Sequence, residues 1–147
     1  MKKYAIANAN IISGKLNDGV QSGKYIVVED GKIAKITSDK AAIDGFKVVD
    51  LNGKYLLPGL INLHVHLPGS GMPKDTKKQN KKTVRFLMDH ALTKQIVYRL
   101  CANYAKVELM SGVTTIRTVG GLDDIDSKIR DNGEKGKLKA PRVLASN

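Results

Sequence analysis

The sequence predicts an α/β protein in which a small β-domain precedes alternating strands and helices. Turn dipeptides separate short β-rich runs over the first 57 residues. From residue 58 onward, apolar residues recur first at strand spacing and then at helical spacing, and the two patterns alternate. The composition is that of a globular chain, since 41% of its 147 residues are hydrophobic and 27% are charged.

The β-domain is predicted from its turns. Asp30-Gly31 lies between β-rich residues 25–28 and 33–36, and Asp-Gly there favours a type I′ hairpin, in which both central residues have positive φ. Asn52-Gly53 lies between similar runs and predicts a second hairpin. With an opening strand near Tyr4, we expect residues 1–57 to form a small β-sandwich or partial barrel.

Pro58-Gly59 marks the domain boundary, because proline cannot donate to a strand ladder. Residues 60–67 follow as a strand that is apolar enough to be buried on both faces. Residues 68 to about 90 are predicted to be a long connection. The pattern then predicts a helix ended by Gly112, a strand over 113–119, a helix over 123–132 and a strand from 141, so parallel strands are expected. The first of these helices carries an apolar stripe formed by Ile96, Leu100, Tyr104 and Val107.

Cysteine content and apolar runs indicate the compartment. The single cysteine, Cys101, excludes an internal disulfide framework and is typical of a reducing compartment, so we expect a cytoplasmic protein. Because Cys101 falls on a predicted helix beside Leu100, we expect a buried, unreactive thiol. No apolar run approaches the roughly 18 residues of a membrane helix, so we expect no membrane partner.

The formal net charge is +11, and one segment is densely basic. It contains Lys74, Lys77, Lys78, Lys81, Lys82 and Arg85. No aromatic residue alternates with these cations as in a base-stacking surface, so we favour a solvated loop. A basic nucleic-acid-binding module remains the alternative, and we expect no nucleic-acid partner if the first interpretation holds.

His64 and His66 are the residues that point to chemistry. Positions i and i+2 of a strand lie on one face, so both imidazoles can reach one metal ion at the carboxyl end of the strand. Neutral imidazole suits zinc, nickel, iron and cobalt. The alternative is a pair of histidines packed on a core, and spacing alone leaves both open. His90 lacks a partner at ligand spacing and is expected to have a surface role.

Three segments together resemble the amidohydrolase superfamily. Residues 58–66, Pro-Gly-Leu-Ile-Asn-Leu-His-Val-His, are similar to its first barrel strand. Residues 112–121 and 140–146 look like the second and third strands of its imidazolonepropionase-like and Xaa-Pro dipeptidase-like subgroup. The resemblance implies the N-terminal part of a (β/α)₈ TIM-like barrel over 58–147. It also implies a hydrolase that cleaves an amide, cyclic amide or Xaa-Pro C–N bond with metal-activated water.

The same resemblance implies that His64 and His66 are the first ligands of a divalent metal, zinc above all, with one or two ions in the complete enzyme. The catalytic residues are then expected beyond Asn147, because a barrel takes about 250 residues and this chain holds a part of one. We therefore expect the chain alone to be inactive, and an inactive remnant is a further alternative. The complete enzyme would act on a small-molecule substrate and is a candidate homo-oligomer.

Three further positions bear on the site that the resemblance implies. Asn62 and Thr118 stand where the family and the subgroup, respectively, usually have aspartate. Arg117, in the second barrel strand, is a candidate for binding a substrate carboxylate. Arg117 pairing with a barrel carboxylate outside this chain is the alternative.

Overall fold

The computed structural model describes residues 3–69 and 81–146. The chain divides into two compact units, Met1–Pro58 and Gly59–Asn147. Most of the basic segment, including Lys74, Lys77 and Lys78, lies outside the described residues. No helix in the described ranges is long and apolar enough to cross a membrane.

Seven strands and one short 3₁₀ helix build the first unit. The strands are β1 (Lys3–Ala7), β2 (Asn10–Ile12), β3 (Val20–Gln21), β4 (Tyr25–Glu29), β5 (Lys32–Thr37), β6 (Lys47–Asp50) and β7 (Tyr55–Leu56), and the 3₁₀ helix is Lys40–Ile43. One sheet has the order β5-β4-β1-β6 and the other β3-β2-β7. Buried residues of both sheets, Ile11, Ile26 and Val28, share one core. The alternate residue Val27 packs with Ala5 and Ile43 of the 3₁₀ helix.

The two hairpin predictions have different outcomes. Asp30 and Gly31 have φ of 48° and 78°, and β4 pairs with β5 antiparallel, so the first hairpin is confirmed. The second is wrong, although Asn52 has a φ of 49°: β6 pairs with β1 and β7 pairs with β2, both in parallel. The Gly53 amide donates to the Asn8 carbonyl at 2.8 Å, so this turn is bonded to the β1–β2 connection. A turn dipeptide fixes the local bend and leaves the strand partners undetermined.

Three strands and three helices are described in the second unit, over residues 59–69 and 81–146. They are β8 (Leu60–Val65), α1 (Lys81–Asp89), α2 (Ala91–Met110), β9 (Val113–Thr118), α3 (Ile125–Glu134) and β10 (Arg142–Leu144). The sheet order is β10-β9-β8, and both pairings are parallel, as the alternation predicted. Helix α1 falls within the predicted connection, so its last part is helical.

Helix α2 contacts the rest of the unit through buried small side chains, with larger apolar side chains, Val97 and Tyr98, partly buried beside them. Cys101, Ala102 and Ala105 are buried in the core with Ile116 and the neighbouring elements. Ile96 and Val107 of the stripe are 58% and 57% exposed, so the stripe lies outside the core of the unit. Small residues permit a close approach of helix and sheet, which periodicity of large residues does not indicate. The helix ends before Gly112, whose φ of 97° confirms the predicted C-terminal stop.

Candidate functional site

The structure brings the His64 and His66 rings together where β8 ends. Their centroids are 5.2 Å apart and their planes are inclined by 71°. Both histidines are exposed, whereas Val65 between them and Leu67 after them are buried in the core. The two imidazoles therefore lie on the side of the strand away from the core, as the i, i+2 spacing predicted.

A β-bulge places His64 in the strand. Asn62 lies opposite Ile116 and Val65 lies opposite Thr118, so two residues of β8 face Arg117 alone. The Leu63 carbonyl, left without a regular ladder position, accepts a hydrogen bond from Arg117 Nε at 3.0 Å. The Asn62 side chain accepts one from the His64 backbone amide at 3.2 Å. Asn62 and Arg117 therefore support the backbone on either side of the His64 α-carbon.

The His66 ring is oriented by the loop after β9. Its Nδ1 lies 3.1 Å from the Gly120 carbonyl oxygen. Because a carbonyl oxygen only accepts, Nδ1 carries the proton and the neutral ring keeps its lone pair on Nε2. A histidine bonded to a carbonyl in this way is typical of metal ligands, since the bond fixes both tautomer and ring orientation.

The spacing of the two rings is that of two ligands of one metal ion. Two imidazoles that share a tetrahedral zinc ion, each at about 2.0–2.1 Å, have centroids about 5 Å apart. The 5.2 Å spacing of His64 and His66 matches this value. Within residues 3–69 and 81–146, no group of three or more His, Cys, Asp or Glu is arranged to hold a metal ion. The described residues therefore fit the first two ligands of a site and not a complete coordination sphere.

A cleft of about 370 Å³ adjoins the two histidines. Tyr104, Val107 and Glu108 of α2 form its other wall. Glu108 brings a carboxylate, and Val107 belongs to the exposed stripe of the helix. The cleft has room for a small molecule beside the imidazoles.

Asp126 is a buried acid of α3 that no motif of the sequence singles out. It is 2% exposed, and no hydrogen bond of ordinary geometry reaches either carboxylate oxygen within the described part of the chain. Burial raises the pKa of its carboxyl, whereas the Thr118 hydroxyl and the His66 charge lower it in part. The helical spacing of Leu122, Ile125, Asp126 and Ile129 contained the signal, because Asp126 occupies a position of the apolar stripe.

The remaining predicted residues lie as follows. Cys101 is fully buried, and burial with the Asp126 charge raises the pKa of its thiol to about 11, as expected for an unreactive cysteine. His90 precedes α2, is exposed, and has Nδ1 2.9 Å from the Phe86 carbonyl oxygen. Arg117 is exposed on β9, across from the bulge. Its role toward a substrate stays a prediction.

Comparison with known proteins shows which solved structures this chain is similar to. No family model matches the chain. A protein described as a prolidase from Bifidobacterium longum has 29% identity and a TM-score of 0.74, over 99% of this chain and 30% of its own. A Xaa-Pro dipeptidase with bound methionine in its active site has 28% identity and a TM-score of 0.72, over 99% and 33%. The resemblance to the amidohydrolase superfamily is confirmed.

Curated relatives match shorter parts of the chain. A 5-methylthioadenosine/S-adenosylhomocysteine deaminase of Acetivibrio thermocellus is 39% identical over 70 residues, which are 46% of this chain and 16% of that protein. A dihydroorotase of Bacillus thuringiensis is 49% identical over 53 residues, which are 35% of this chain and 12% of that protein. The chain therefore spans about a third of the length of these solved amidohydrolase-fold proteins and a smaller share of the length of the curated relatives.

Proposed function

We propose that this chain is the N-terminal portion of a metal-dependent amidohydrolase that hydrolyses a C–N bond. The observation that carries the proposal is the His64–His66 pair at the end of β8, with Nδ1 of His66 bonded to the Gly120 carbonyl. The relatives support the reaction class, because a dipeptidase, a deaminase and a dihydroorotase each break a C–N bond by hydrolysis. Parallel strands β8, β9 and β10 would be the first three of a (β/α)₈ barrel, whose catalytic groups collect at this end of the strands.

His64 and His66 would hold a divalent ion, for which zinc is the choice that the family resemblance implies. When bound, such an ion supplies an activated water and polarises a carbonyl. The chain's own residues prepare the ligands: the Gly120 carbonyl holds the His66 ring, and the bulge braced by Arg117 and Asn62 holds His64. Further ligands and the general base would come from strands that follow this part of the barrel, so we propose that the 147-residue chain has no turnover by itself.

Arg117 is proposed to bind a carboxylate on a small-molecule substrate. Its Nε bond to Leu63 fixes the plane of the guanidinium at the bulge, within the strand next to the histidines. A fixed guanidinium suits bidentate binding of a carboxylate. A carboxylate from a later barrel strand is the competing partner. Kinetics of Arg117→Met in the complete enzyme distinguish the two, because KM rises if the guanidinium binds the substrate and stays unchanged if its partner is an internal carboxylate.

Zinc binding to the 147-residue chain tests the proposal. His64→Ala and His66→Ala should each weaken Zn²⁺ binding at least about tenfold in competition with a chromophoric chelator, because one imidazole remains. His90→Ala is the matched control, since it removes an exposed histidine outside the pair and should leave the affinity unchanged. Equal affinities in all four chains would contradict the metal role of the pair.

A further inference from the structure

Two adjacent glycines separate His66 from the buried Asp126. A Cβ atom on Gly120 would lie 3.7 Å from both Cε1 and Nδ1 of the His66 ring, and a Cβ on Gly121 would lie 2.6 Å from Asp126 Oδ2. The imidazole therefore packs on the first glycine of the turn and the carboxylate packs on the second. The φ of 130° at Gly120 gives the turn a conformation that residues with a side chain rarely adopt.

The position of Asp126 is fixed from the helix side. Ile125 and Ile129, its neighbours on α3, are fully buried, so the carboxylate cannot turn outward without unpacking the helix. Among the residues that the structure describes, this buried carboxylate has no hydrogen-bond partner of ordinary geometry, and such burial is costly. An apolar residue at 126 would avoid this cost, and unsatisfied buried groups of this kind are often found at functional sites. The observation calls for a role that outweighs the loss of stability.

We propose that Asp126 is a positioning residue for His66. Its carboxylate holds the Gly120–Gly121 turn in place, so that the Gly120 carbonyl accepts a hydrogen bond from Nδ1–H of His66. Nε2 of the ring then stays free as the ligand atom. The two groups also interact through their charges, since the His66 charge lowers the pKa of the Asp126 carboxyl. The link runs from α3 through Asp126 and Gly121 to Gly120 and the imidazole. The role of Nε2 as a metal ligand rests on the proposed function. The Nδ1–H tautomer of His66 does not, because it is expected in the metal-free chain as well.

Asp126→Asn in the ¹⁵N-labelled 147-residue chain tests the proposal, because it removes the charge and keeps the shape. In metal-free wild-type chain, long-range ¹H–¹⁵N spectra at a pH where the ring is neutral should show His66 as the Nδ1–H tautomer. The variant should shift toward Nε2–H and bind Zn²⁺ about tenfold more weakly. Asp131→Asn is the control, since Asp131 lies on the same helix beside Arg130 and should change neither readout.

Stability separates positioning from a role in the fold. Asp126→Asn should unfold at the same temperature as wild type or higher, because an unpaired buried charge is removed, so an unfolded or less stable variant overturns the inference. Asp126→Ala should show the same tautomer shift. Unchanged tautomer and Zn²⁺ affinity in both folded variants also overturn it. If the tautomer shifts while Zn²⁺ affinity responds neither to this change nor to His66→Ala, the positioning role holds and the proposed function fails.

Discussion

One hydrogen bond determines which ring nitrogen of His66 carries the proton. The Gly120 carbonyl selects the proton position on the ring, and it does so from a loop that lies 54 residues further along the chain. The sequence shows two histidines at strand spacing, which predicts that they share a face. It does not show which ring nitrogen is free, because that depends on the contact between β8 and the end of β9.

Two aspartates two residues apart have opposite electrostatic surroundings. Asp124 forms ion pairs with Lys128 at 2.7 Å and with Lys94 at 3.2 Å, and these ammonium groups lower the pKa of its carboxyl. Asp126 faces the core, and burial raises the pKa of its carboxyl. Carboxylates in the first turn of a helix generally interact favourably with the helix dipole. The face of the helix on which each carboxylate lies decides whether its charged form is stabilised.

Stability measured against pH should distinguish the two aspartates. The native state binds the Asp126 proton more tightly than the unfolded state does, so its contribution to stability is lost as pH rises above about 4. The advantage of Asp126→Asn over wild type should therefore grow from pH 4 upward. For Asp124 the sign is reversed: its contribution is present above about pH 4 and lost as pH falls, so Asp124→Asn should be less stable than wild type at pH 7 and approach it near pH 3. Urea unfolding midpoints between pH 3 and 8 measure both, and parallel curves would contradict the assignment.

A second irregularity in the pairing of β8 and β9, near the start of both strands, requires a glycine at position 59. Leu60 lies opposite Val113 and Ile61 opposite Thr115, so β9 holds an extra residue, Thr114, at this point. The Thr114 side chain packs on the α-carbon of Gly59, where a Cβ atom would overlap with it. Later, β8 holds the extra residue at His64, which restores the register. The two irregularities compensate each other over the length of the strands.

Gly59→Ala should therefore destabilise the second unit by about 1–3 kcal/mol, the usual cost of overpacking. Adding Thr114→Ala should recover part of the loss, since the atoms that meet the new methyl group are mostly removed, and the two changes should be non-additive. Gly133→Ala is the control of opposite sign: within α3 a Cβ there would meet Ala140 at 3.7 Å, and helix propensity predicts a gain of about 0.5–1 kcal/mol. Denaturant unfolding measures all three, and equal effects at Gly59 and Gly133 would refute the packing argument.

Prediction from sequence succeeded for elements with local causes. The Asp30-Gly31 hairpin, the end of α2 at Gly112 and the parallel order of β8, β9 and β10 follow from backbone preferences and alternation. It failed where partners lie far apart in the chain: β6 and β7 flank one turn yet join different sheets. Of the candidate site, the proximity of His64 and His66 was predictable, whereas the bulge, the His66 tautomer and the buried Asp126 depend on tertiary contacts.

At the scale of the whole molecule, the parallel sheet of the second unit is incompletely covered by residues 59–69 and 81–146, which the structure describes. Parallel strands are usually buried on both faces. Val65, Ile116 and Val143 are buried in the core with the helices, but Leu60 and Leu144 are 52% and 46% exposed. Such exposure is unusual for large apolar residues of a parallel sheet, and it supports the proposal that further barrel elements cover these strands in the complete protein.

The exposed edge strand should make the 147-residue chain associate. Ile61 and Leu63 on β8 are 64% and 57% exposed, and β8 is an edge of its sheet within the described residues. An apolar edge invites pairing with another chain. Sedimentation velocity at tens of micromolar should therefore show oligomers, and Ile61→Lys with Leu63→Lys should reduce them while circular dichroism stays unchanged. Leu16→Lys with Leu92→Lys adds the same charge at exposed positions outside the strands and should leave association largely intact, because scattered apolar side chains are normal on a surface. If both pairs of substitutions reduce association equally, net charge and not the edge of β8 governs it.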